Sequence, residues 1–171
     1  MIYLVTGNLQ LFESNEYSLI SLEESLEKLA SWKIFQFDSE TTGRNPHIND
    51  FLCIQFGNIE GTEQIVVDTT TINVLNYKDY IESNFMIGQN LKFDIQFLYK
   101  YNIITKKVYD TMIVEQLLYM GYPSGIISYS LKAIAARYLG IDIDKSVRGE
   151  IIWRGLDTNV IKYAAGDVTY L

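Results

Sequence analysis

The stretch KIFQFDSETTG, Lys33 to Gly43, decides how this chain is read. It begins as an ordinary core strand, Phe35 and Phe37 alternating with other residues, and then sets Asp38 and Glu40 two positions apart. Side chains at i and i+2 of a strand share a face, about 6–7 Å apart along the chain. Two carboxylates side by side at the end of a buried strand repel each other and are costly to desolvate. Their presence asks for a compensating positive charge.

Composition narrows the source of that charge. The chain has 171 residues, 48% apolar and 20% charged, within the range of one globular domain. Its net charge is −7, whereas a protein that grips nucleic acid with its whole surface is usually basic. Any anionic substrate must therefore be held locally, by a few Lys and Arg or by metal ions. No apolar run is long enough to span a bilayer, and the N-terminus lacks a basic region followed by an apolar stretch, so no membrane partner is expected. The one cysteine, Cys53, lies in the apolar run FLCIQF and reads as core rather than nucleophile. With no internal disulfide available, a reducing cytoplasm is expected.

Outward from the opening stretch, strand and helix patterns alternate. MIYLVTGNLQLFESNEYSLI reads as two short strands around a Gly-Asn turn. SLEESLEKLAS reads as a helix, with Ser21 and Glu24 in a capping-box pattern and Glu24 and Lys28 spaced i,i+4. After the Lys33–Gly43 strand, FLCIQFG and TEQIVVDT around the turn NIEG make a three-stranded meander, antiparallel at least in part. INVLNYKDYIESN reads as a helix, FMIG as a strand opening into a helix from about Leu91 to Tyr101, and KKVYD as a last strand. TMIVEQLLYMG and SLKAIAARYLG are helical, each ending at a Gly stop signal. DIDKSVRGEIIWRG is irregular and mixed in charge, and DTNVIKYAAGDVTYL is a final helix capped by Asp157 or Thr158. The fold class is α/β around a mixed sheet.

Two further acids fall where surface acids do not. Leu91, Asp94, Ile95 and Leu98 recur at i, i+3, i+4 and i+7, which puts Asp94 on an apolar helical stripe. In the final helix Val160, Ala164, Asp167, Val168 and Leu171 form a similar stripe, with Tyr163 one turn before Asp167. Three elements thus aim acid inward: Asp38 with Glu40, Asp94, and Asp167. No matching basic residues share those stripes, and hard divalent cations with oxygen ligands, Mg²⁺ or Mn²⁺, would supply the charge. Asp110, in YDT at a strand-to-helix junction, reads as a helix cap rather than a ligand. His47, after Pro46, reads as a loop residue. Lys145, Arg148 and Arg154 could touch phosphates or simply belong to a solvated mixed-charge loop.

FDSETTG, GQNLKFD and YAAGD, in that order, resemble the three exonuclease motifs of the DnaQ-like 3′–5′ exonuclease superfamily. VYDTMIVEQLL and SLKAIAARYLGIDIDKS are similar to the segments between the second and third motifs in family A DNA polymerases and ribonuclease D. The resemblance runs from about Tyr17 to the end. It implies a ribonuclease H-like fold, a five-stranded mixed sheet flanked by helices. It makes Asp38, Glu40, Asp94 and Asp167 ligands of two divalent metal ions, directly or through water, and Tyr163 the residue that positions the attacking water. The position five before the last Asp, a His in some members, is Lys162 here, so the resemblance is to the Tyr (DEDDy) subtype. Thr41 and Thr42 would meet the terminal nucleotide, and Asn90 would help to shape the site. The activity implied is two-metal hydrolysis of phosphodiester bonds at single-stranded DNA 3′ ends, as in the proofreading domain of a family A polymerase. An RNA 3′-trimming enzyme like ribonuclease D, and an inactive exonuclease-like domain that only binds nucleic acid, are the alternatives. The chain stops four residues after Asp167 and its motifs begin close to Met1. The expectation is one exonuclease domain, 1–171, at the N-terminal end of a longer, phage-like polymerase, working with a polymerase domain in the same or another chain.

Overall fold

The computed structural model of the chain describes residues 1–8, 14–123, 125–143 and 155–171. Lys145, Arg148 and Arg154, the candidate phosphate contacts, lie outside them, as does most of the irregular stretch before the final helix.

The strands are β1 (Ile2–Val5), β2 (Ser18–Leu19), β3 (Ile34–Thr41), β4 (Phe51–Asn58), β5 (Gln64–Asp68), β6 (Phe85–Gly88) and β7 (Val108–Asp110). They form one sheet in the order β2-β1-β5-β4-β3-β6-β7. β3–β4 and β4–β5 are antiparallel, which is the expected meander, and all other neighbours are parallel. The expected five strands are β3 to β7; β1 and β2 extend the sheet beyond β5, so it has seven. The extra strands come from the segment before and around Tyr17, where the resemblance begins. The residues that follow the Gly-Asn pair, where the second strand of the expected turn would lie, fall outside the described residues; β2 comes later and runs parallel to β1, and Gly7 N–H donates to the Thr71 hydroxyl at 2.9 Å.

The helices are α1 (Leu22–Ala30), α2 (Lys78–Ser83), α3 (Lys92–Lys100), α4 (Thr111–Leu118), α5 (Leu131–Leu139) and α6 (Thr158–Thr169), with a 3-10 turn, Val74–Tyr77, leading into α2. The α1 capping box forms: Glu24 N–H donates to Ser21 Oγ at 3.1 Å and Ser21 N–H to Glu24 Oε2 at 2.7 Å. That use of Glu24 leaves Lys28 to a different acid. Its ammonium lies 3.3 Å from Glu63 and over the Tyr3 ring, rather than on Glu24. α5 ends at Gly140, whose φ of 69° is the left-handed cap expected of it. α4 ends earlier than its glycine, at Leu118 capped by Tyr119, and Gly121 makes the following turn at φ 99°.

Strand periodicity divides the two faces of β3. Phe35 and Phe37 point to the face covered by α1, α2 and α3, in a core with Leu29, Phe56, Tyr77, Ile81, Phe97 and Leu98. Burying one such aromatic is worth about 1.5–3 kcal/mol, so this face anchors the strand. Phe37 and Phe56 are cross-strand partners with rings 5.6 Å apart, edge to face. The buried Tyr77 hydroxyl is partnered by Ser25 Oγ at 2.9 Å, and burial pushes its pKa up to about 12. The opposite face carries Gln36, Asp38 and Glu40, whose cross-strand partners are Gly57, Gln55 and Cys53. α6 packs there, Ile161, Ala164 and Ala165 meeting Leu4, Cys53 and Val66. Small residues let helix and sheet approach closely.

Gln36 ties the end of α6 to the sheet. With its amide oriented to satisfy its surroundings, its nitrogen donates to the Val168 carbonyl and, at 3.1 Å, to the Asn58 carbonyl. Gly57, its partner on β4, would place a Cβ only 3.0 Å from the Val168 carbonyl oxygen. Gly57→Ala should therefore push α6 from the sheet and cost about 1–3 kcal/mol, read as a lower urea midpoint at unchanged slope.

Candidate active site

β3, β6 and β7 are parallel, so Glu40, Gly88 and Asp110 reach the same end of the sheet. α3 and α4 start there. A bulge between Glu40 and Thr41, where Thr41 pairs with Phe51 and Leu52 is skipped, twists the strand pair beside the acids. Asp167 arrives from α6 on the same side of β3 as Asp38 and Glu40.

The three acids meet. One carboxylate oxygen from each of Asp38, Glu40 and Asp167 lies within 4.8 Å of the others. Asp38 and Glu40 are half-buried and Asp167 is buried. At that separation each pair of charges repels by roughly 3–4 kcal/mol at an effective dielectric near 20. Three hard oxygen donors at this spacing fit a Mg²⁺ or Mn²⁺ ion and are a poor fit to thiophilic metals. Cys53 lies beside Glu40 on the same face. Burial pushes its thiol pKa well above the ordinary value and the Glu40 and Asp38 charges push it further, so the thiol stays protonated and serves as core.

Asp94 is buried, as its stripe predicts, but it is not one of the three mutually close acids. The reason is the face it comes from. α3 packs on the Phe35–Phe37 side of β3, and Asp94 Oδ1 accepts the hydroxyl of Ser39, the residue between the two acids of the strand. The expected convergence of four carboxylates is thus three on one face of β3 and a fourth held from the other. Tyr163 is buried one turn before Asp167 and clusters with Val160, and Leu52 and Leu156 pack against that pair.

Thr41 and Thr42 organise the loop that leaves β3. Thr41 Oγ1 donates to the Gly43 carbonyl at 2.7 Å, and Thr42 Oγ1 accepts the Asp50 N–H at 3.0 Å. Asn90 is exposed, adopts φ 57°, and forms the turn from β6 into α3. Asp110 caps α4, as expected, through Met112 N–H at 2.9 Å. It also accepts the backbone N–H groups of Asn90 at 3.0 Å and Leu91 at 2.8 Å, and so fixes the start of the helix that carries Asp94. Sequence reasoning missed this second task, and it missed Ser39 and Gln55. Gln55 is fully buried opposite Asp38, its amide nitrogen 2.9 Å from Cys53 Sγ. The available signal was one polar residue inside the apolar run FLCIQF. A cavity of about 500 Å³ between β7, α4 and α5 is lined by Gln36, Tyr109, Glu115 and Tyr138, and none of the clustered acids lines it.

With this geometry in place, a family model described as 3′–5′ exonuclease matches residues 17–171. The chain belongs to the 3′–5′ exonuclease family. This exonuclease domain is 33% identical over 153 residues to DNA polymerase I of Aquifex aeolicus (strain VF5), covering 88% of the chain. It spans 24% of that protein's length. Among solved structures, the fold is similar to Brucella melitensis NrnC with bound Mg²⁺, with a TM-score of 0.67 and 21% identity over 99% of this chain and 75% of that one. It is also similar to Escherichia coli RNase D, an exoribonuclease involved in structured RNA processing, with a TM-score of 0.71 and 21% identity over 87% of this chain and 39% of that one. These likenesses establish the ribonuclease H-like exonuclease fold. Among the described residues, no helix is long and apolar enough to cross a membrane.

The repulsion in the cluster generates a test. Asp38→Ala together with Glu40→Ala should leave the fold intact and, in EDTA, as stable as the wild type or more so, because like charges are removed where no cation offsets them. Adding Mn²⁺ should raise the thermal midpoint of the wild type and leave that of the double variant unmoved. Thermal unfolding with and without Mn²⁺ reads both, and a large loss of stability in EDTA would make these acids structural.

Proposed function

We propose that this domain removes nucleotides from single-stranded DNA 3′ ends and proofreads for a DNA polymerase, as the exonuclease domain of a longer polymerase chain or beside a polymerase in another chain. The observation that carries the reading is the meeting of Asp38, Glu40 and Asp167 in a chain of the 3′–5′ exonuclease family. Identity of 33% to a DNA polymerase favours DNA as the substrate. A cytoplasmic location follows from that role.

In this reading Asp38, Glu40, Asp167 and Asp94 would hold two divalent cations, directly or through water, the first three of them from within 4.8 Å of one another. When bound, the two cations supply the Lewis acidity and charge neutralisation that an anionic phosphodiester requires. They also give an acidic protein a positive face toward its substrate. The chain's own residues do the rest. The Tyr163 hydroxyl orients the attacking water in line with the scissile bond. The loop ordered by Thr41 and Thr42 and the turn at Asn90 bound the place of the terminal nucleotide, through backbone groups as much as side chains. The nucleotide must leave its stack to enter, so paired ends react more slowly than frayed ones.

The test compares DNA and RNA strands of one sequence, labelled at either end, with Mg²⁺ or Mn²⁺ and at one salt concentration. Mononucleotides should appear from the 3′ end, faster from DNA than RNA and faster from single strands than from a blunt duplex, and EDTA should stop the reaction. Digestion from the 5′ end, or digestion that persists in chelator, overturns the proposal. Faster RNA cleavage replaces it with the RNA-trimming reading, and binding without cleavage with the inactive one.

Tyr163→Phe deletes only the hydroxyl. Single-turnover cleavage should fall by roughly tenfold to a thousandfold, about 1.4–4 kcal/mol of transition-state stabilisation, with DNA affinity measured in Ca²⁺ unchanged. A variant that cleaves at the wild-type rate removes Tyr163 from the chemistry.

A further inference from the structure

The middle residue of the D-x-E pattern has no evident part in the chemistry, yet the structure gives it one contact of consequence. Ser39 faces away from Asp38 and Glu40, is only 7% exposed, and its hydroxyl donates to Oδ1 of Asp94, 55 residues later in the chain and 2% exposed. A carboxylate on an unbranched stem can turn about both of its side-chain torsions. One hydrogen bond to a fixed oxygen removes much of that freedom and sets the plane of the group. The backbone beneath Asp94 is already fixed. Asp110 holds the N–H groups of Asn90 and Leu91, and at Gly88 an added Cβ would sit 2.8 Å from Leu91 Cγ and 2.9 Å from the Phe37 carbonyl, so the start of α3 packs directly on the sheet. What the Ser39 bond adds is therefore the direction of the carboxylate.

We propose that Ser39 is a positioning residue, which aims Asp94 across the end of β3 so that it can share a second cation with Asp38. The inference rests on the two-cation reading above. Because Ser39 is bonded through the backbone to both Asp38 and Glu40, the same strand that carries the three-acid cluster also sets the fourth acid. A serine that only satisfied a buried carboxylate would influence stability. One that aims the carboxylate would influence the second ion selectively, since loss of such an outer partner typically costs about 10–100-fold in metal affinity.

The experiment counts Mn²⁺ ions by electron paramagnetic resonance as the metal is titrated into the protein with a deoxynucleoside 5′-monophosphate present. The proteins are wild type, Ser39→Ala, Ser39→Cys and Ser39→Thr, each checked for fold by circular dichroism. Wild type should bind two ions. Ser39→Ala should keep the first at unchanged affinity and bind the second about 10–100-fold more weakly. Ser39→Cys, close to serine in size but a weak donor, should behave like Ser39→Ala and covers the case in which the alanine variant does not fold. Ser39→Thr, which keeps the hydroxyl and suits a strand, should bind both ions as wild type does. If the alanine and cysteine variants bind the second ion normally, or the threonine variant loses it, the role of Ser39 is overturned and the two-cation reading stands. If wild type itself binds fewer than two ions, both fall.

Discussion

The structure depends on one unfavourable interaction, the mutual repulsion of Asp38, Glu40 and Asp167 within 4.8 Å of one another. Like charges held this close oppose folding, and desolvation adds to the cost. It is tolerated because the other face of the same strand is strongly apolar. Phe35 and Phe37 each bury a large ring among residues of α1, α2 and α3, and alternation along β3 makes the two faces inseparable. The strand is held by one side and carries the acids on the other.

What holds the acids in place is a set of polar contacts with distant partners. Gln36, two residues before Asp38, ties β3 to the Val168 carbonyl, next to Asp167 in the chain. Asp110, at the end of β7, holds the backbone from which α3 starts. Ser39 reaches through to the other face and takes hold of Asp94. Each of these acts, from a neighbouring position, on one of the inward acids or on the element that carries it. Rigidity at the site thus comes from the parallel β3-β6-β7 edge and from the close approach of α6 at Gly57.

The comparisons agree with this reading at two levels. Family membership rests on a match over residues 17–171 and carries the 3′–5′ exonuclease assignment. The structural likenesses, at about 21% identity, carry the fold alone. A 3′–5′ exonuclease acts on the phosphodiester, which DNA and RNA share, whereas the sugar is told apart by contacts to a 2′-hydroxyl.

Much of the fold was legible because strong, local signals wrote it. The capping box of Ser21 and Glu24, the left-handed Gly140, the Asp157 cap of α6 and the β3–β4–β5 meander depend on neighbours within a few residues, and all formed. The inward placement of Asp94 and Asp167 was equally readable from helical periodicity. The rest was set by residues far apart in the chain. The two strands added beyond β5 follow from a parallel pairing that no turn motif announces. Lys28 found Glu63 rather than Glu24 because the cap had already engaged the nearer acid. Periodicity could show that Asp94 points inward, but not from which face of β3 it arrives, nor that Ser39 meets it. Sequence patterns record the direction of a side chain relative to its own element. Which elements face one another, and therefore which three of the four acids meet, is decided only when the sheet orders its strands and the helices choose their sides.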